Sequence, residues 1–289
     1  MHRYIKALFN LKPCFTDSYS KIARISLCYS KKGKFEYMST VAEKQEVNQE
    51  AQSTQNAEQA KKLLKDLVEA GVHLGHPKKD WNPKMEDYIF DTKDGVHIIN
   101  LSKTVNNLMK AADFLKQQAK MGRNILFVGT SKQTSQIIKE QAERAEIYFI
   151  NQRWLGGLIT NFETIRARLN RLREMELQKE TGGFEGYAKK EVAAINRQIL
   201  KLNKSLGGLK KMRGKPEVIV AFDQTKDAIA LIEARKVNCA TVAITDTNCD
   251  PTNIDHVIPA NDDSMRSIEL IAKYLTDAIL EGKQNSKRR

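Results

Sequence analysis

Two runs of four consecutive apolar residues, Ile125-Leu126-Phe127-Val128 and Val218-Ile219-Val220-Ala221, set the strongest limit on how this chain folds. A strand with one wet face alternates apolar and polar side chains, whereas a strand apolar at every position must be covered on both sides. The surrounding pattern supplies the cover. Residues 96–101, 124–128, 147–150, 217–222, 240–245 and 256–258 read as strands, and helical spacing fills 102–120, 131–144, 225–236 and 264–281. Ser102 stands where an N-cap belongs, and Thr130 or Ser131 caps the helix over 131–144. An earlier helix carries Leu63, Leu64, Leu67 and Val68 and stops at Gly71. The expected fold is α/β, a doubly wound parallel sheet with helices on both faces.

Residues 158–212 interrupt the alternation. Phe162, Ile165, Leu169 and Leu172 repeat by three and four, as do Val192, Ile195, Ile199, Leu202, Leu206 and Leu209. Between the two seams lies Thr181-Gly182-Gly183-Phe184-Glu185-Gly186, rich enough in glycine to reverse the chain. The spacing predicts an antiparallel α-helical coiled-coil hairpin inserted into the sheet domain, each seam burying the other. From residue 162 to 215 there are fourteen basic and six acidic side chains, a surplus of eight. A coiled coil needs polar positions outside its seam, but balanced pairs would serve; this surplus repels itself and calls for a polyanion.

The whole chain points the same way, with 48 Lys and Arg against 35 Asp and Glu and a net charge of +13. Aromatics make up only 7%, which disfavours a sheet that stacks unpaired bases and favours reading of phosphates and shape. Two further tracts join cations to aromatics: Lys78-Lys79-Asp80-Trp81-Asn82-Pro83-Lys84, and Arg153-Trp154 followed by Gly156-Gly157. Their tryptophans either pack on sugar and phosphate or anchor the loops to the core.

Other chemistry is thinly represented. Phe127-Val128-Gly129-Thr130-Ser131-Lys132 has the strand-turn-helix form of a phosphate cradle but lacks the second glycine and the Gly-Lys-Ser/Thr ending of a P-loop, so a helix cap is the expected role. Asp246, Asp250, Asp255, Asp262 and Asp263 follow strand ends, yet no nucleophile or lysine joins them and they read as turn and cap residues. His73 and His76 are spaced for one metal only if helical, which Gly71, Gly75 and Pro77 prevent. The four cysteines, Cys14, Cys28, Cys239 and Cys249, form no C-x-x-C pair, and a reducing compartment is expected. Cys239 reads as a small core residue and Cys249 as a loop residue. No catalytic residue, metal or cofactor is assigned.

Residues 1–37 are basic and poor in acid, without the apolar stretch of a secretory signal. They are either an organellar targeting peptide or sequence ahead of a true start at Met38. Residues 39–57 are polar and expected to be disordered. The resulting plan is an extension over 1–57, a sheet domain over 58–157 and 213–282, the basic hairpin over 158–212, and a basic tail over 283–289.

Read together, several tracts resemble one family. They are Ala70-Gly71-Val72-His73-Leu74-Gly75-His76, Trp81-Asn82-Pro83-Lys84-Met85, Val96-His97-Ile98-Ile99-Asn100-Leu101, Arg153-Trp154-Leu155-Gly156-Gly157, Ser205-Leu206-Gly207-Gly208, Asp246-Thr247-Asn248-Cys249-Asp250-Pro251 and Ile258-Pro259-Ala260-Asn261-Asp262-Asp263. In this order, from about residue 60 to 282, the chain resembles the bacterial and organellar form of small ribosomal subunit protein 2. The resemblance implies a flavodoxin-like sheet with an inserted helical hairpin, and a non-catalytic component of the small subunit. It also implies binding to small-subunit rRNA near the junction of head and body, beside neighbouring ribosomal proteins including small-subunit protein 1, with no membrane partner. The residues expected to meet rRNA are Lys78, Lys79, Trp81, Asn82, Lys84, Arg153, Trp154, Arg166, Arg168, Arg171, Arg173, Lys189, Lys190, Lys210, Lys211 and Arg213. Pro77 replaces the usual basic residue after the Gly-His step, removing one phosphate contact, and residues 1–57 have no counterpart in the family. The expected location is a bacterial cytoplasm or, if residues 1–37 are a targeting peptide, a plastid stroma or mitochondrial matrix.

Overall fold

A computed structural model describes residues 61–182, 187–212 and 214–287. The expectations for residues 1–57, part of the glycine-rich connection (183–186), Arg213 and the last two residues lie outside them. In chain order the elements are α1 (residues 61–69), β1 (Leu74–Pro77), β2 (Ile89–Lys93), β3 (Val96–Ile99), α2 (Leu101–Lys120), β4 (Ile125–Val128), α3 (Lys132–Ala145) and β5 (Tyr148–Ile150). Then come α4 (Phe162–Glu180), α5 (Lys189–Leu206), β6 (Val218–Ala221), α6 (Ala228–Lys236), β7 (Ala240–Thr245), β8 (His256–Pro259) and α7 (Met265–Lys287).

Strands β4 to β8 form one parallel sheet in the order β5-β4-β6-β7-β8. Numbered within the sheet this is 2-1-3-4-5, the doubly wound order whose switch point falls between β4 and β6. The apolar runs are explained by their two faces. Ile125, Phe127, Val218 and Val220 point into a core with α1, α2, α3 and α7, while Leu126, Val128 and Ile219 point into a second core on the opposite face. Burying each such side chain stabilises the fold by roughly 1.5–3 kcal/mol, so a polar residue at any of these positions would be costly.

The second core is covered by Ala230 and Ala234 of α6, by Trp154, Leu158 and Ile159, and by the roots of α4 and α5. Phe162, Ile165 and Leu169 pack here together with Leu206, Leu209 and Met212. The lower parts of both expected seams are therefore sheet cover. Further along, Leu172 and Met175 of α4 close on Ile199 of α5 with Ile195 and Leu202 alongside, a small separate cluster. Val192 is only half-buried. Gly208 lets the turn after α5 lie on the edge strand, because a Cβ there would strike the Phe149 carbonyl oxygen.

One expected strand belongs elsewhere. Residues 96–101 were expected among the parallel strands, but β3 sits in a separate antiparallel sheet of order β1-β3-β2. Asp94 and Gly95 both take positive φ, 52° and 80°, and join β2 to β3 as a two-residue hairpin turn. That geometry matches the twist of paired strands, and Asp-Gly is its usual sequence. The cap of α2 also moves: the Asn100 side chain, not Ser102, accepts from the Ser102 and Lys103 amides. Of the two candidates for the cap of α3 it is Ser131, accepting from the Thr134 amide, while Thr130 donates to Asp227. Helix α6 starts at Ala228 rather than 225, because Asp223 holds Lys226 in a preceding turn. Helix α7 continues through Lys287, past the expected end at 281. Among the described residues no helix is long and apolar enough to cross a membrane.

Candidate nucleic-acid interface

All five parallel strands run one way, so the loops after β5 and β7 emerge at the same end of the sheet. The first of these carries Arg153. After β5 the chain is tied down by Ser135 Oγ, which donates to the Asn151 carbonyl at 2.6 Å. Trp154 then turns inward, 7% exposed, and its indole N–H donates to Glu233 Oε1 at 3.1 Å. The Gly157 amide reaches the same oxygen at 2.7 Å, and the Ile159 and Thr160 amides reach Oε2 at 3.2 and 3.4 Å. Thr160 Oγ1 adds a fifth donor at 3.3 Å. Gly157 takes φ +80°, a conformation that glycine adopts freely. Burial alone would raise the Glu233 carboxyl; the indole and backbone donors outweigh it and hold the group below the usual carboxylate range. What remains on the surface is the Arg153 guanidinium. Trp154 is an anchor inside the second core, and its ring is not offered to a partner.

On α4 the side chains of Arg166, Arg168, Arg171 and Arg173 are exposed, as are Lys189 and Lys190 at the start of α5 and Lys211 beyond it. Arg173 donates to Asn170 Oδ1 at 3.2 Å and to the Lys210 carbonyl. Lys210 is spoken for: its ammonium lies 2.7 Å from Glu176, which also accepts from Asn203 at 2.6 Å. Burial would raise the Glu176 carboxyl, yet Lys210 and Asn203 hold it below its ordinary value. Glu176 thus ties α4 to α5 and to the segment after it, a role with no signal in the periodicity. Of the basic residues on 162–215, only Lys210 is in an ion pair among the described residues. Arg213 lies outside them.

The tract at 78–84 meets the loop after β7. Lys78 and Lys79 are exposed on a single turn, Lys78–Asp80. Trp81 is half-buried against the His97 ring, 5.3 Å between centroids. Asn82 Oδ1 accepts from the Lys84 amide at 3.0 Å, and its own amide donates to the Thr247 carbonyl at 2.8 Å. Lys84 pairs with Asp250 at 2.6 Å, which with the Thr252 donors pulls Asp250 down to about 2. Among the described residues Lys78 and Lys79 have no ion-pair partner, while Trp81, Asn82 and Lys84 hold the shape of the tract.

The switch point is acidic. Thr130 Oγ1 donates to Asp227 at 2.7 Å and the Ser131 hydroxyl lies 2.9 Å from that of Thr134, so the turn after β4 has no hydroxyl left for an anion. Burial, against the Thr130 bond, pushes Asp227 up to about 7. Nearby His76 Nδ1 lies 3.2 Å from Asp246, and Nε2 is 3.6 Å from Asp263. The Asp246 carboxylate beside its ring raises His76 to about 9, while burial and the Asp246 and Asp223 charges push Asp262 up to about 7. Donor atoms of His76, Asp246 and Asp262 lie within 4.8 Å of one another, and this mixed nitrogen and oxygen set could hold a divalent cation. His73 is not part of it. Phosphate would be repelled here, and the cationic surfaces are α4, α5 and the Arg153 turn.

By architecture and charge, the chain is a doubly wound α/β protein bearing a cationic pair of helices. A family model, Ribosomal protein S2, matches residues 67–282. The chain belongs to the ribosomal protein S2 family, which comprises structural ribosomal proteins and not enzymes.

Proposed function

We propose that the chain is a structural constituent of the small ribosomal subunit, and that α4, α5 and the Arg153 turn bind the backbone of small-subunit rRNA. The observation that carries this reading is the row of exposed cations on α4 and α5 that have no ion-pair partner among the described residues. In A-form RNA the deep major groove hides base edges, so such a surface recognises phosphate spacing and helix shape. In this reading α4 and α5 form an antiparallel coiled-coil arm on the sheet domain, with Leu172, Met175 and Ile199 as its inner seam. Lys78 and Lys79 add contacts from the other tract, while Trp81, Asn82, Lys84 and Trp154 set loop geometry. Neighbouring ribosomal proteins, small-subunit protein 1 among them, would take up the remaining surface. A bacterial cytoplasm is the compartment proposed, with plastid stroma or mitochondrial matrix as the alternative.

The test is binding of the purified chain to a small-subunit rRNA fragment across a salt series. If six to ten phosphates are engaged, affinity falls by about 10³–10⁵ between 50 and 200 mM salt. Reversing Arg166, Arg168, Arg171 and Arg173 to Glu should abolish binding and flatten the salt response. Full binding by that variant, or a flat response from the native chain, would sink the proposal.

A further inference from the structure

Glu233 is buried against Trp154 of the second core, and among the described residues it makes no ion pair. All five of its donors come from a single stretch, Trp154, Gly157, Ile159 and Thr160. An apolar residue of similar size would fill this space without burying a charge, so packing alone does not explain it. A charge satisfied by one contiguous stretch instead fixes the course of that backbone. The stretch starts next to Arg153 and ends at Thr160, two residues before α4 begins. One carboxylate therefore sets both the turn that presents the Arg153 guanidinium and the root from which the α4 cations extend.

We infer that Glu233 is a positioning residue for RNA recognition, holding Arg153 and the base of α4 at a fixed spacing so that both meet one RNA helix. The inference rests on the reading of the Arg153 turn as an rRNA contact. Preorganisation matters because a loose guanidinium must be ordered at the moment of binding, which weakens the complex. Glu233→Gln keeps the shape but replaces one acceptor oxygen by an N–H₂ group that faces N–H donors. The turn must shift to relieve that clash.

The experiment is a double-mutant cycle on the full chain with a small-subunit rRNA fragment, using Glu233→Gln, Arg153→Ala and both together. Binding is read over the salt series at a temperature where circular dichroism shows each variant folded. Glu233→Gln should bind about tenfold more weakly than the native chain and share the reduced salt slope of Arg153→Ala. In the Arg153→Ala background it should add less than about twofold, because the two act through one contact. Native affinity and slope in folded Glu233→Gln would overturn the inference and leave the rRNA reading standing. So would a loss that adds fully to that of Arg153→Ala, since that marks a general weakening of the fold. If the native chain itself shows no salt-dependent binding, the underlying reading fails and the positioning role with it. Should Glu233→Gln not fold, Trp154→Phe removes a single donor and keeps the ring buried. The same non-additivity with Arg153→Ala is then expected at smaller size, and its absence overturns the inference.

Discussion

Asp227 is fully buried, with one oxygen bonded to Thr130 and the other, Oδ2, without a partner among the described residues. Its pKa is raised from the ordinary value to about 7, so its contribution to stability is greatest below the unfolded value near 4 and is lost as pH rises through about 7. Asn at this position is uncharged at every pH. Asp227→Asn should therefore stabilise the fold by roughly 2–3 kcal/mol more at pH 8 than at pH 5, as measured by urea unfolding at both values. Asp262, also raised to about 7, acts in the same direction, and His76, raised to about 9, extends the decline to higher pH. None of this was legible in the sequence. Asp246 and His76 are far apart along the chain; the close approach of Gly75 to Thr247, with the His76 amide donating to Thr247 Oγ1 at 2.9 Å, brings them together. Trp154 was similarly ambiguous between anchor and contact until its indole was seen to donate to Glu233.

Individual elements were read with more success where local physics decides them. Ser131 caps α3 because a serine hydroxyl satisfies an otherwise unpaired helix amide, and β7 runs over the expected residues because its apolar run needs two covered faces. Strand β3 was assigned to the wrong sheet because apolar periodicity says nothing about partners; Asp94-Gly95 was the available signal for its hairpin. The helical seams were found, but their division was not. Phe162, Ile165 and Leu169 pack on the sheet, so only the outer cluster depends on the two helices alone. Leu172→Ala, which empties a fully buried site, removes contacts worth about 2–5 kcal/mol. Hydrogen exchange should show α4 and α5 losing protection beyond residue 170 while β4 and β6 keep theirs. Gly208→Ala drives a Cβ into the Phe149 carbonyl and should cost about 1–3 kcal/mol in thermal unfolding, with the loss of protection centred on β5.

At the scale of the whole molecule, charge is sorted by place. The cations stand on α4, α5 and the Arg153 turn, while Asp223, Asp227, Asp246 and Asp262 are buried around the switch point. Local sequence determined which segments are strands and helices, since periodicity, caps and apolar runs act over a few residues. It also determined that a surplus of positive charge sits on residues 162–215, because composition does not depend on folding. The tertiary structure decided which cations are left free. Lys84 and Lys210 are matched by Asp250 and Glu176, whereas Arg166, Arg168 and Arg171 are matched by no acid among the described residues. It decided as well that Glu233, a single acid in an otherwise apolar stretch of α6, is the acceptor for a turn more than seventy residues away. Pairings of that kind depend on distance in space, and a sequence carries distance only along the chain.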